Sequence, residues 1–120
     1  VGKKVWLIPD GYLPERSEGE YVSHESVCLL NCGQVPANVN ITIYFEERDP
    51  LRNLLATVGA ERTNHVRLDR IVTDGGEKIP RGVPYALCVV SDQPIVVQHS
   101  RLDTSQPSLA LFTTMAYPVE

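Results

Sequence analysis

The stretch NVNITIYF, Asn38 to Phe45, decides the architecture of this chain. Val39, Ile41, Ile43 and Phe45 alternate with Asn38, Asn40, Thr42 and Tyr44, and a two-residue period with one apolar face predicts a strand half-buried against a core. Working outward, similar short segments recur: KVWLI (4–8), YVSHESVCLLN (21–31), NLLATV (53–58), RTNHVRL (62–68), PYALCVVS (84–91), PIVVQHSRL (94–102) and LALFTTMAY (109–117). The turn formers CGQVPAN, EERDP, GAE, TDGGEKIPRG and SDQP lie between them,. With no helical period, this pattern predicts an all-β fold: a single-domain antiparallel β-sandwich of about eight strands with little helix.

At 120 residues the chain suits one domain spanning 1–120, and 42% hydrophobic with 22% charged residues is a globular composition,. The net charge is −4 and the basic residues are scattered. Phosphate-backbone binding needs clustered Lys and Arg, so nucleic acid is not an expected partner. No apolar run approaches the roughly 18 residues of a membrane helix, and VGKKVWLIPDGY lacks the marks of a secretory leader. Three cysteines, Cys28, Cys32 and Cys88, are an odd number. Within a strand Cys28 and Cys32 sit too far apart for a disulfide, at about 3.3 Å per residue. The expectation is a cytoplasmic protein without membrane insertion, in which the sequon Asn40–Thr42 is accidental. The acidic, Pro- and Gly-bearing loop PDGYLPERSEGE (9–20) reads as a surface excursion that carries Tyr12,.

A pentapeptide appears twice in nearly the same form, HVRLD at 65–69 and HSRLD at 99–103. In a strand, His65, Arg67 and Asp69 share one face, and so do His99, Arg101 and Asp103. Ile95 and Val97 lie on the His99 face, so that face turns from apolar to polar toward the strand end. In SHES, His24 shares a face with Ser26 and Cys28, while Ser23 and Glu25 share the other with Val27.

The blocks VWLIPDGYLP, YVSHESVCLLNCG, VNITIYF, RTNHVRLD, PIVVQHSRLDTSQ and LFTTMAYP, in this order over nearly the whole chain, resemble the sensory rhodopsin transducer family. The resemblance implies a β-sandwich protomer, a cyclic homotetramer, and a binding protein rather than an enzyme, with sugars or related small ligands as the suspected cargo. It places motif residues at Trp6, Gly11, His24, Glu25, His65, Arg67, His99, Arg101 and Asp103. No residue of the chain itself points to a photoreceptor partner.

Sugar recognition needs an aromatic plate for the C–H face of the ring and planar polar groups for its hydroxyls. The candidate ligand-binding set is Trp6, Tyr12, His24, Glu25, His65, Arg67, Gln98, His99, Arg101 and Asp103. Two other readings stand beside it. The same residues could form ion pairs at a sheet rim or subunit interface, and the doubly apolar strand 109–117 would suit such an interface, buried on both faces. Alternatively His24, His65 and His99 could converge on a metal with Asp103 as fourth ligand, although no closely spaced ligand motif supports this. No cofactor is expected. Catalysis is not expected either: no nucleophile elbow, P-loop or dinucleotide turn is present, Cys28 lies among apolar neighbours, and Glu25 with Asp103 is an unsupported carboxylate pair. The expected partners are other copies of the chain, a small polar ligand and a protein.

Overall fold

The computed structural model describes every residue from Val1 to Glu120. Eight strands form and no helix does: β1 (Lys3–Gly11), β2 (His24–Asn31), β3 (Ala37–Phe45), β4 (Leu51–Val58), β5 (Arg62–Arg67), β6 (Tyr85–Asp103), β7 (Ala110–Met115) and β8 (Tyr117–Val119). β3 behaves as its alternation dictates. Val39, Ile41 and Ile43 are buried while Asn38 and Tyr44 face solvent. Every strand pairing is antiparallel.

The architecture turns on β6, which runs for 19 residues and serves both sheets of the sandwich. Its first half pairs with β3 and β1, its second half with β2 and β7. One sheet therefore runs β4-β3-β6-β1-β8 and the other β5-β2-β6-β7. The expected break at SDQP is absent, and the two strands placed at 84–91 and 94–102 are one. The turn-forming residues there are used differently. Pairing slips between Val5↔Val90 and Lys3↔Ile95, so residues 91–94 bulge out where the strand passes between sheets,. Ser91 Oγ accepts the Gln93 N–H at 3.2 Å, and the Asp92 carboxylate accepts both the backbone and side-chain N–H of Asn38. Pro94, which has no N–H to leave unpaired, falls inside the bulge.

The segment 109–117 departs from expectation in one way. It divides at Ala116, which is buried and donates its N–H to the Val97 carbonyl, so β7 stays with the second sheet and β8 joins β1 in the first. Within the lone protomer its apolar residues are open. β7 is a sheet edge exposed along its whole length, with Leu111 at 71% exposure. Nor is the first loop a mere surface excursion. β1 extends into it as far as Gly11, Leu13 is fully buried, and the Gly82 N–H and Arg81 guanidinium tie down the Leu13 and Pro14 carbonyls.

Twenty-one buried apolar side chains between the sheets form the core, among them Trp6, Ile41, Leu54, Leu87, Val89, Ile95 and Val97. Trp6 belongs wholly to this core. Its indole N–H is shared by the Lys3 and Ile95 carbonyls, as a buried donor requires,. All three cysteines are free thiols.

Candidate functional site

Alternation along β2 and the segment before it turns Ser23, Glu25, Val27 and Leu29 inward, all fully buried, and sends His24, Cys28 and Leu30 the other way. A carboxylate is thereby forced into the core, at a desolvation cost of several kcal/mol unless it is paired and hydrogen-bonded. Four donors meet it. Oε1 accepts from the Tyr85 hydroxyl and from His99 Nε2 at 3.0 Å; Oε2 accepts from the Tyr12 backbone N–H at 2.8 Å and Arg101 Nε at 2.6 Å.

Each partner arrives through the same strand logic. β6 pairs with β2 so that Arg101 lies opposite Glu25 and His99 opposite Val27, both on the inner face continued from Ile95 and Val97. Tyr85 comes from the other sheet, at the start of the inward row Tyr85, Leu87, Val89. Its ring needs room, and Gly11 opposite provides it: a Cβ there would stand 2.4 Å from Tyr85 Cε2. The residue after Gly11 then supplies the Tyr12 N–H.

Burial pushes the Glu25 carboxyl pKa up, but the hydrogen bonds from His99, Tyr85 and Tyr12, with the charge on His99, outweigh it and hold the acid below its ordinary value,. Tyr85 shifts upward, through burial first and then the Glu25 charge and hydrogen bond, so its phenol stays protonated. Because a carboxylate only accepts, His99 carries its proton on Nε2 toward Glu25,. Nδ1 is free to bond elsewhere.

Arg101 extends the cluster to the edge of the sandwich. Its guanidinium lies 5.0 Å from the centre of the Phe112 ring on β7, its cross-strand neighbour, and its Nη2 is buried without a hydrogen bond, 3.7 Å from Asp10,. Phe112 also meets His99 edge-on at 6.2 Å. Beside these groups, between β7 and the β1/β8 pair, opens a pocket of about 410 Å³. Ile8, Pro9, Phe112, Met115, Tyr117 and Pro118 give it apolar walls, and Asp10, His99 and Thr114 contribute polar groups. Such a site can hold a ring against an aromatic face while hydrogen-bonding its substituents.

Of the residues read from sequence, Glu25, His99 and Arg101 come together, joined by Tyr12 through its backbone alone. The others do not join them. Trp6 is a core residue and offers no face to a ligand. His24 lies on the outer face, its Nδ1 2.9 Å from the Val22 carbonyl. His65 and Gln98 flank Cys28 on that same outer face, in one row across β5, β2 and β6. Arg67 is held by a bidentate pair to Asp69, at 2.7 and 2.8 Å. Asp69 sits beyond the end of β5 and folds back, so it does not continue the strand face. Its carboxyl is raised by burial but lowered more by the Arg67 hydrogen bonds and charge. Asp103 accepts from the Ser105 N–H and hydroxyl, which hold its pKa down. The two pentapeptides thus face opposite ways. In HVRLD the aliphatic residues Val66 and Leu68 are buried and His65 is exposed; in HSRLD His99 is buried. The three histidines do not converge, and no cluster of three His, Cys, Asp or Glu side chains could hold a metal.

Sequence reading missed Tyr85, Phe112, Asp10 and Tyr117. Tyr85 was detectable: an inward tyrosine needs a hydrogen-bond partner, and an inward Glu25 needs donors. Phe112 requires the β6–β7 register, which no local pattern contains.

A family model described as Anabaena sensory rhodopsin transducer matches residues 1–118. Among solved structures, that of the Thermotoga maritima 1070 protein is similar with a TM-score of 0.88 and 37% identity, over 99% of this chain and 97% of that one. A structure named Anabaena sensory rhodopsin transducer is similar with a TM-score of 0.76 and 40% identity, over 89% of this chain and 94% of the other. No curated protein matches.

Proposed function

The chain belongs to the Anabaena sensory rhodopsin transducer family, and from that premise we propose that it is a signalling protein that binds a small polar ligand of carbohydrate type beside Phe112 and passes the bound state to a protein partner. The observation that carries this reading is the position of the pocket against the buried Glu25 cluster. A ligand touching His99 or Phe112 is one contact from Glu25 or Arg101, and through Glu25 from Tyr85 in the opposite sheet. Phe112 and Tyr117 supply the faces a sugar ring packs on; Asp10, Thr114 and His99 Nδ1 supply partners for its hydroxyls,. Buried charge of this kind is a poor source of stability, which favours a functional reason for keeping it.

Calorimetry across a panel of mono- and oligosaccharides and sugar nucleotides tests the proposal. Heat from at least one class is expected with the parent protein, and its loss is expected in Phe112→Ala and Arg101→Ala. Absence of heat across the whole panel rejects ligand binding of this class.

A second reading, assembly, is favoured by exposed apolar side chains on the outer face of the first sheet, where Leu7, Tyr44, Leu55 and Val90 stand,. In this reading the protomers form a homotetramer through that face, and light scattering on Val90→Lys is expected to show dissociation. Should Arg101→Ala instead dissolve the assembly, the charged cluster is an interface element and not a ligand site. Three free thiols suit a reducing compartment, so we place the protein in the cytoplasm,. No helix is long and apolar enough to cross a membrane.

A further inference from the structure

The sandwich has four open sheet edges, β4 and β8 in one sheet, β5 and β7 in the other. Unpaired strand edges invite foreign strands, and proteins blunt them with charge, proline, bulges or brevity. Three of these edges are blunted. β4 carries Arg52 beside Asn53 at φ 66° and an irregular register. β5 carries Arg62 and Arg67, and β8 has three residues with Pro118 in the middle. β7 has none of these devices. Its six residues, ALFTTM, hold no charge and no proline, pair with β6 in unbroken register from Asp103↔Ala110 to Gln98↔Met115, and are all exposed. It is an intact edge left open.

The surroundings of that edge say what suits it. Near Leu109, before the strand, a hollow of about 450 Å³ is lined by Glu18, Glu20 and Tyr21, and Asp103 stands across from Ala110. Arg16 pairs with Glu18, which leaves Glu20 and Asp103 as uncompensated charge. Along the strand, Asp10 stands 3.7 Å from Arg101, the cross-strand partner of Phe112, and its side chain is 78% exposed. The Ala110 end of an apolar, neutral strand is therefore negative. We infer that β7 accepts an extended segment of a partner protein by strand addition, the segment having alternating apolar residues and basic residues at the end that meets Ala110. The edge shares Phe112 and Met115 with the ligand pocket.

A fluorescently labelled peptide of alternating valine and threonine, about six residues long with two lysines at each end, tests the inference by anisotropy. Binding that weakens with salt is expected, with hydrogen-exchange protection of amides in Ala110–Met115. Leu111→Lys with Thr113→Lys, both at exposed positions, is expected to abolish binding while the thermal midpoint holds. Glu20→Lys is expected to weaken it about threefold. The inference is overturned if an acidic-ended peptide of the same core binds as well, if protection appears on β4, β5 or β8 instead, or if β7 becomes protected without peptide as protein concentration rises.

Discussion

Substituting Glu25 by glutamine keeps the side-chain shape and removes the charge that four donors converge on. The amide carbonyl can serve the donors on one side, but its NH₂ then faces those on the other. Removing one partner of a buried ion pair costs about 3 to 5 kcal/mol, most of it from stranding the remaining charge. The Arg101 side chain keeps 18% exposure, so water reaches it in part, and the expected loss lies at the lower end, about 3 kcal/mol. Against a total on the order of 5 to 15 kcal/mol for a domain, that is a large fraction, and the thermal midpoint is expected to fall by roughly 10 to 15 °C. Urea unfolding followed by the fluorescence of Trp6, the lone tryptophan and fully in the core, measures it at pH 7. The midpoint should move with little change in slope. The decisive variant is Glu25→Gln with Arg101→Met, which leaves no stranded charge. It is expected to be at least about 1 kcal/mol more stable than the sum of the two single losses. Additivity within about 0.5 kcal/mol would refute the reasoning, because it would mean that Arg101 is not energetically tied to Glu25.

Gly11→Ala places a methyl against the Tyr85 ring and is expected to destabilise by about 1 to 3 kcal/mol,; an unchanged urea midpoint would show that the ring has room to move. The folded-state pKa of Glu25 is depressed, so its contribution is present above its ordinary 4.5 and is lost as pH falls through 4.5 toward the lower folded value,. Stability is therefore expected to be level from pH 7 to about 5 and to drop below that, with a shallower drop in Glu25→Gln; identical acid limbs for the two proteins would count against the depressed acid. His65→Ala is expected to change stability by no more than about 0.5 kcal/mol and to leave ligand heats intact, since His65 is exposed on the face away from Glu25,. Loss of those heats would move the site to the outer face of the second sheet.

Local pattern carried the strands well, because β3 and its neighbours are buried on one side and a two-residue period survives in their sequence. It failed where the same residues serve a different geometry. Ser91, Asp92 and Pro94 are turn formers by chemistry, and their hydrogen bonds are the ones a turn would use, yet the chain bulges instead of reversing. The break at Ala116 was invisible because its cause is a long-range bond to Val97. The Glu25, His99 and Arg101 part of the site was legible, since face analysis set Glu25 with Val27 and His99 with Val97. Trp6 stood among the ligand candidates, although a lone tryptophan in a small β domain is usually core, and the core is where it lies,. His65 and Arg67 were drawn in by likeness to the second pentapeptide, whose face points the other way.

The double membership of β6 sets a timetable for the chain as it is made. Lys3 finds its partner in Ile95, and β2 pairs along Val96 to Leu102. The central strand of both sheets is thus made only sixth of the eight strands. Until β6 begins to emerge at Tyr85, the β3–β4 hairpin and the β2–β5 pair are the only strand pairings available. Contacts this distant along the chain make folding slow, on a scale of milliseconds to seconds. Throughout that interval the apolar faces of β1, β2 and β3 wait without their common neighbour. The nascent chain is most exposed to aggregation just before β6 emerges, and a pause or truncation near residue 90 would be far more damaging than one after Asp103.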